Sequence, residues 1–254
     1  MKSNIIVVLI FCFFIISLIG MGNNNNNNDQ KSLSKIILHD DAGWSEFQDK
    51  FMESIVILIA KKNETQLKIV LPAIKQWGID INRPRPKIGI LLNNAILTNS
   101  RAIVAMIINE GKADCNALSP QGRPLCFAVR NECVAIAKQL LDCGAKVDDT
   151  SSGLAALHVA ADNNNVACIE LLLAYKAKID AIDNNGNTPA HRAALKKSNE
   201  AFDFLKEKGA NMKLENNEKL TPILIRDSHE QVYRNQHNEI LIKKEKIGNK
   251  SNSQ

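Results

Sequence analysis

Two stretches of the chain are near copies of each other: Gly153–Ala161 reads GLAALHVAA and Gly186–Ala194 reads GNTPAHRAA, with each matching residue displaced by 33 positions. A fixed displacement of this size is the signature of stacked structural repeats. Because one such unit cannot bury its apolar face alone, it must pack against its neighbours. The sequence therefore predicts an elongated solenoid, an architecture that more often binds partners than catalyses.

The same period extends through the middle of the chain. Turn residues recur every 32 or 33 positions, at Gly78, Gly111, Gly144, Lys176 and Gly209. An apolar run precedes each of these turns, and a second short apolar stretch lies further upstream in each unit. Each unit therefore reads as helix, turn, helix and loop, which predicts an all-α fold.

The best unit explains why particular residue types recur. Thr188 is placed to cap the first helix with its hydroxyl, and Pro189 suits the first helical position, where a missing amide proton costs nothing. His191, three residues after Thr188, has the reach to return a hydrogen bond to the capping residue. Gly209 suits the left-handed residue that ends the second helix.

These motifs resemble those of ankyrin-repeat proteins, whose units carry a G-x-T-P-L-H-x-A-A helix start and an L-L-x-x-G-A-D-x-N ending. The resemblance covers about Ser45 to Asp227. It implies an all-α ankyrin-repeat solenoid of about five to six helix-turn-helix units with short hairpin-like loops. The residues that carry the repeat signature are Gly144, Gly153, His158, Gly186, Thr188, Pro189, His191 and Gly209.

The repeat pattern also divides the chain. We expect an array over 45–227, with units at about 45–82, 83–116, 117–149, 150–182 and 183–215 and a partial unit from 216. A degenerate cap and polar tail are expected over 228–254, where lysine and polar residues dominate.

Several positions depart from the ankyrin pattern. Lys176 replaces the usual glycine and Ala155-Ala156 replaces the usual threonine and proline, so we expect their unit, 150–182, to be the softer one. Cys126 replaces the histidine of its unit, which predicts the loss of one bridging hydrogen bond. Pro72 falls inside a helix, where it removes a backbone hydrogen bond and bends the helix. One extra residue appears near Lys112.

The amino-terminal segment has the layout of an export signal. Lys2 supplies a positive charge, residues 5–20 are apolar, and Gly20-Met21-Gly22 offers small residues for cleavage. An uncleaved membrane anchor is the alternative, because residues 5–21 approach the length needed to cross a bilayer. Residues 1–22 are therefore expected to be a signal peptide or an anchor, and 23–44 an asparagine-rich flexible linker. We expect an exported or secreted protein, or alternatively a single-pass membrane protein.

No pattern in the sequence points to catalysis. His158 and His191 occupy equivalent places in neighbouring units, roughly 8 to 10 Å apart at the usual helix spacing, which is too far for a shared metal. We expect neither an enzyme nor a bound cofactor or metal. The net charge is +5, but the basic residues are scattered, so no nucleic-acid binding is expected. The cysteines lack a disulfide framework, which predicts buried thiols at Cys115, Cys126, Cys133, Cys143 and Cys168. The alternative is that one pair closes if the array folds in an oxidising compartment.

The resemblance implies a protein partner, bound by loop tips and by the exposed side of each first helix along a concave groove. Carried onto this chain, the candidate contact residues are Arg130, Asn131, Ser151, Ser152, Leu154, Asp162, Asn163, Asn184, Asn185, Asn187, Leu195 and Lys196. Two functions remain open: an exported protein-binding module, and a membrane-tethered scaffold or adaptor. We expect a monomer in either case.

Overall fold

A computed structural model describes residues 41–76, 78–87, 89–150 and 153–228. Within these ranges the backbone forms five helix pairs, followed by a further helical stretch over 222–228. The pairs are α1 Asp41–Ala60 with α2 Glu64–Gln76, α3 Leu91–Leu97 with α4 Arg101–Asn109, α5 Pro124–Arg130 with α6 Val134–Asp142, α7 Ala156–Asp162 with α8 Val166–Ala174, and α9 Pro189–Lys196 with α10 Asn199–Glu207. The all-α prediction is confirmed for the part of the chain that the structure describes.

The chain divides into two compact units, Met1–Pro124 and Leu125–Gln254. In the described part of the first unit, α1 packs against α2 and α3, while α4 packs against α2 and α3. Long aliphatic side chains fill this core and are at most 2 % exposed: Met52, Ile55, Leu58, Leu67, Leu71, Ile74, Leu92, Ile96, Ile103 and Ile107. Burial of this apolar surface stabilises the first unit.

In the second unit the helices stack in two layers. The first helices α7 and α9, here called inner, pack side by side, and the second helices α6, α8 and α10, here called outer, pack in sequence behind them. The inner helices meet through small residues that are at most 3 % exposed: Ala156, Ala160, Ala161, Ala190, Ala193 and Ala194. Small side chains let helix backbones approach closely, which explains the repeated alanine pairs of the sequence.

The turns that end the outer helices follow the predicted period, with one correction. Gly144, Lys176 and Gly209 adopt left-handed φ angles of 91°, 67° and 90°. In the first unit Gly78 is left-handed too, at φ 65°, but in the turn after α4 the left-handed residue is Lys112, at φ 57°, and not Gly111. The predicted extra residue is the reason: Ala113 N bonds Ile107 O, six residues back, whereas the corresponding bonds elsewhere span five.

Gly111 is required for a different reason from the one predicted. A β-carbon at this position would lie 2.6 Å from the backbone oxygen of Ile107 and 2.8 Å from the side chain of Ile81. Both distances are shorter than a β-carbon makes with other heavy atoms in folded proteins. Only glycine therefore fits where helix α4 ends.

The ends of the chain fall mostly outside the described residues. The predicted signal or anchor, residues 1–22, lies there, as do most of the predicted linker and 229–254 of the predicted cap and tail. Helix α1 begins at Asp41, so the prediction of a flexible linker is wrong for 41–44. In the ranges that the structure describes, no helix combines the length and apolarity needed to cross a bilayer.

Helix α2 runs through Pro72 as one element, although proline supplies no amide to bond the carbonyl four residues earlier.

The prediction of buried thiols is correct for Cys126, Cys133 and Cys168. It is wrong for Cys115 and Cys143, which are disulfide-bonded.

Candidate partner-binding surface

The start of α9 forms the reciprocal cap that the sequence predicts. The amide of Thr188 donates to His191 Nδ1 over 3.1 Å, and the amide of His191 donates to Thr188 Oγ1 over 3.4 Å. Pro189 occupies the first turn, where its lack of an amide proton is harmless. In α7 one half of this arrangement persists, since the amide of Ala155 donates to His158 Nδ1 over 3.2 Å.

The same histidines join each repeat to the next. His158 Nε2 lies 3.0 Å from the carbonyl oxygen of Asn187, and His191 Nε2 lies 2.9 Å from that of Leu220, 33 residues further along. Because Nδ1 accepts a backbone amide in both rings, we infer that Nε2 carries the proton and donates to the carbonyl. Each ring is therefore neutral and bonded at both nitrogens.

Other side chains take over this bridge where the histidine is missing. Cys126 occupies the equivalent place, and its thiol lies 3.7 Å from the carbonyl oxygen of Leu154, the counterpart of Asn187. The prediction that Cys126 loses the bridge is therefore wrong: a weaker thiol bond replaces it. In the first unit, the Asn93 side chain donates to Ser119 Oγ over 3.0 Å. We call Asn93, Cys126, His158 and His191 the bridging positions.

Burial keeps the bridging histidines neutral. Removal from water lowers the pKa of His158 and also that of His191, although the hydrogen bonds to carbonyl oxygens and the charge of Asp183 act in the opposite direction. Both side chains belong to residues that are fully buried. A neutral ring matches the geometry, because a proton on Nδ1 would face the backbone amide that now donates to it.

A buried carboxylate shapes the hairpin that precedes α9. Asp183 Oδ1 accepts the amides of Asn185 and Asn187, each over 2.8 Å, which closes the turn. Arg192 lies 3.8 Å from Asp183 and also forms an ion pair with Asp162 at the end of α7. This guanidinium compensates two carboxylates, so the hairpin is tied to both inner helices.

Asparagine and serine side chains fasten the edges of successive repeats. Asn163 Nδ2 donates to the carbonyl oxygen of Arg130 over 3.0 Å, and Ser198 Oγ donates to that of Asp162 over 3.0 Å. At the hairpin tips, the amide of Asn217 donates to the carbonyl oxygen of Asn185 over 3.1 Å. These bonds cross from one repeat to the next and hold the surface in a fixed geometry.

The predicted contact residues separate by exposure. Leu154 and Asp162 are half-buried, and Ser151 and Ser152 lie outside the described residues. The exposed members come from the hairpin tip before α9 and from the carboxyl ends of the inner helices. We call them the exposed edge: Arg130, Asn131, Asn163, Asn184, Asn185, Leu195 and Lys196.

The prediction that Asn187 contacts a partner is wrong. Its residue is only 4 % exposed, and its side-chain amide donates to Asp183 while its oxygen accepts from Asn216 over 2.8 Å. The asparagine thus belongs to the network inside the hairpin. Its two exposed neighbours, Asn184 and Asn185, remain available at the tip.

Sequence reasoning missed two residues of this surface. Ile182 is 63 % exposed at the base of the hairpin, where residues 33 positions away on either side, Asp149 and Glu215, are acidic. That break in the polar pattern was a usable signal. Arg192 was also missed, because its ion pairs with Asp162 and Asp183 form only when the chain folds.

Comparison with known proteins agrees with this architecture. The family model described as "Ankyrin repeats (3 copies)" matches residues 125–216, the stretch that holds the stacked pairs and their bridges. This stretch consists of ankyrin repeats. The resemblance to ankyrin-repeat proteins that the sequence motifs indicated is confirmed.

Two curated proteins are similar to parts of this chain. It is 33 % identical over 94 residues to "Ankyrin repeat and SOCS box protein 16" of Homo sapiens, covering 37 % of this chain and 21 % of that protein. It is 29 % identical over 153 residues to "Nuclear factor NF-kappa-B p105 subunit" of Mus musculus, covering 59 % of this chain and 15 % of that protein. The chain thus spans about a fifth or less of the length of each relative.

Proposed function

We propose that residues 125–228 bind a partner protein through the exposed edge. Ankyrin repeats are protein-interaction modules, and the observation that carries the proposal is the fixed geometry of this edge. The backbone carbonyls of Arg130 and Asn185 each accept a hydrogen bond from the next repeat, and the residues of the edge are exposed. A rigid surface loses little conformational entropy on binding, so modest contacts add up to useful affinity.

The chemistry of the exposed edge favours an acidic partner segment with an apolar anchor. Leu195 is 41 % exposed at the end of α9, and the exposed residues Lys196 and Lys197 follow it directly. The nearby carboxylate of Asp162 is compensated by Arg192 and so repels an acidic partner less. An apolar side chain beside Leu195 and a carboxylate beside the lysines would match this arrangement.

The test compares partner recovery by chains that differ only at this edge. The double variant Asn185→Glu with Lys196→Glu places a negative charge at the hairpin tip and reverses the charge at the inner-helix end. Lys206→Glu is the matched control, since Lys206 is an exposed lysine on the outer helix α10. We expect a protein cross-linked to the wild type to be recovered with Lys206→Glu and lost with the double variant. Equal recovery with all three would exclude the exposed edge as the binding surface.

We further propose that the array acts after export across a membrane, with residues 1–22 as a removed signal. The apolar run over 5–20, with Lys2 before it and small residues at Gly20 and Gly22, supports this proposal. The second candidate is a membrane-tethered scaffold, which the same run supports if it is retained. Mass spectrometry of the amino terminus separates them: a mature chain that begins near Asn23 supports export, and an intact Met1 in the membrane fraction supports the scaffold.

A further inference from the structure

The turn between α1 and α2 carries a three-residue motif with a chemical meaning of its own. Asn63-Glu64-Thr65 has the form N-x-T, in which threonine follows two places after an asparagine. In a protein that enters a glycosylating secretory pathway, such a triplet accepts an oligosaccharide when it lies at the surface. The sequence holds a second triplet of this kind at 249–251, which lies outside the described residues.

The structure puts the first triplet at the surface of the first unit. The left-handed backbone of Lys62, at φ 52°, turns the chain immediately before Asn63. Glu64 and Thr65 are exposed in the first turn of α2, and Asn63 is half-buried. The triplet therefore has the surface-turn context that an acceptor site requires.

The Asn63 side chain keeps its role in the fold when a sugar is added. Its Oδ1 accepts the amide of Gln66 over 3.1 Å and so caps α2, while its Nδ2 donates to Gln66 Oε1 over 2.8 Å. A carboxamide nitrogen carries two protons, and the bond to Gln66 uses one of them. A substituted amide retains one proton and its carbonyl oxygen. The cap is therefore compatible with a glycan on Nδ2.

Two observations outside the triplet favour the compartment in which this reaction occurs. Cys115 and Cys143 are disulfide-bonded, and disulfides form and persist in the oxidising environments that secreted proteins pass through. The apolar run over 5–20 has the layout of a leader into that pathway. Leader, disulfide bonding and surface acceptor therefore agree with one another.

We propose that Asn63 is an N-glycosylation site, an assignment that rests on the proposed export of the chain. In the reaction, Asn63 Nδ2 forms a bond to the anomeric carbon of a lipid-linked oligosaccharide diphosphate. The bond between that carbon and the diphosphate oxygen breaks, the lipid diphosphate leaves with the electron pair, and Nδ2 releases one of its two protons. The product carries a bulky, hydrophilic group on the turn between α1 and α2.

Translation of the full chain in the presence of endoplasmic reticulum membranes tests this proposal. Protection from added protease reports export, and conversion of Asn63 to aspartate only after treatment with a peptide N-glycosidase, read by mass spectrometry, reports the glycan. Thr65→Ala removes the acceptor motif and Thr65→Ser keeps it, while both variants retain the capping Asn63. We expect the conversion in the wild type and in Thr65→Ser, and its loss in Thr65→Ala.

Asn249→Gln is the matched control, because it removes the second triplet and should leave the conversion at Asn63 unchanged. A protected chain in which Asn63 is not converted would overturn the site and leave the export proposal standing. A chain that the protease degrades would overturn both proposals. Equal conversion in Thr65→Ala and in the wild type would also overturn the site, because the motif would then not direct the reaction.

Discussion

Replacing His191 with leucine should weaken the array far more than its size change suggests. The two side chains are similar in volume, so little cavity is created. The hydrogen bonds of the ring to the Thr188 amide, the Thr188 hydroxyl and the Leu220 carbonyl all disappear. The Thr188 amide, in a fully buried residue, loses its acceptor, which costs about 1 to 3 kcal/mol. The Leu220 carbonyl, in a half-buried residue, loses its donor and regains part of its hydration, which adds about 1 kcal/mol or less.

The expected loss is therefore about 1 to 4 kcal/mol in the free energy of unfolding. Urea unfolding followed by circular dichroism measures it. Lys196→Leu introduces the same residue at an exposed position of the same helix and should change the stability by less than about 0.5 kcal/mol. Thr188→Ala, which removes only the capping hydroxyl, should cost about 1 kcal/mol. If His191→Leu proves no more harmful than Lys196→Leu, the reasoning from bridging bonds is refuted.

Three further predictions concern pH and backbone geometry. Burial lowers the pKa of His158 and of His191 below 6.5, so the unfolded chain binds more protons than the folded chain below that pH. The contribution of these histidines to stability should therefore be full above pH 6.5 and fall as the pH drops. Urea midpoints that do not decrease from pH 7.5 to 5.5 would contradict this prediction. Lys176→Gly should raise the free energy of unfolding by about 0.5 to 1 kcal/mol, because the backbone of Lys176 is left-handed. The control Lys178→Gly, where the backbone is not left-handed, should give no increase. A lower stability of Lys176→Gly would show that the left-handed lysine is not strained. Gly186→Ala should lower the free energy of unfolding by at least about 1 to 2 kcal/mol, because the φ of Gly186 is 72° and the new methyl group would lie 2.6 Å from Asn217 Oδ1. An unchanged urea midpoint would show that the hairpin adapts freely.

The period of the sequence was sufficient to predict the helix pairs and the caps. The Thr188 to His191 arrangement follows from local spacing, because its partners are three residues apart and belong to one turn. Left-handed turns were predictable where glycine marks them. The turn after α4 was assigned to Gly111, but a single inserted residue moves the left-handed conformation one place along, to Lys112. Gly111 stays in the period for steric reasons.

The surface was harder to predict than the fold. Asn187 and Asn185 are chemically identical and two residues apart, yet one is buried in the Asp183 network and the other is exposed. That difference depends on Asn216, 29 residues away, which composition and period do not reveal. The bridge from Cys126 was missed for a similar reason: its acceptor is a backbone carbonyl, and any residue type supplies one.

Hydrogen exchange of His158→Leu tests most directly whether stability in the second unit comes from contacts between repeats. The ring of His158 starts α7 and bonds the carbonyl of Asn187, just before α9. We predict that amides over both 156–162 and 189–196 lose protection by a similar factor, because the two inner helices are stabilised together. Loss of protection confined to 156–162, with 189–196 unchanged, would contradict that account.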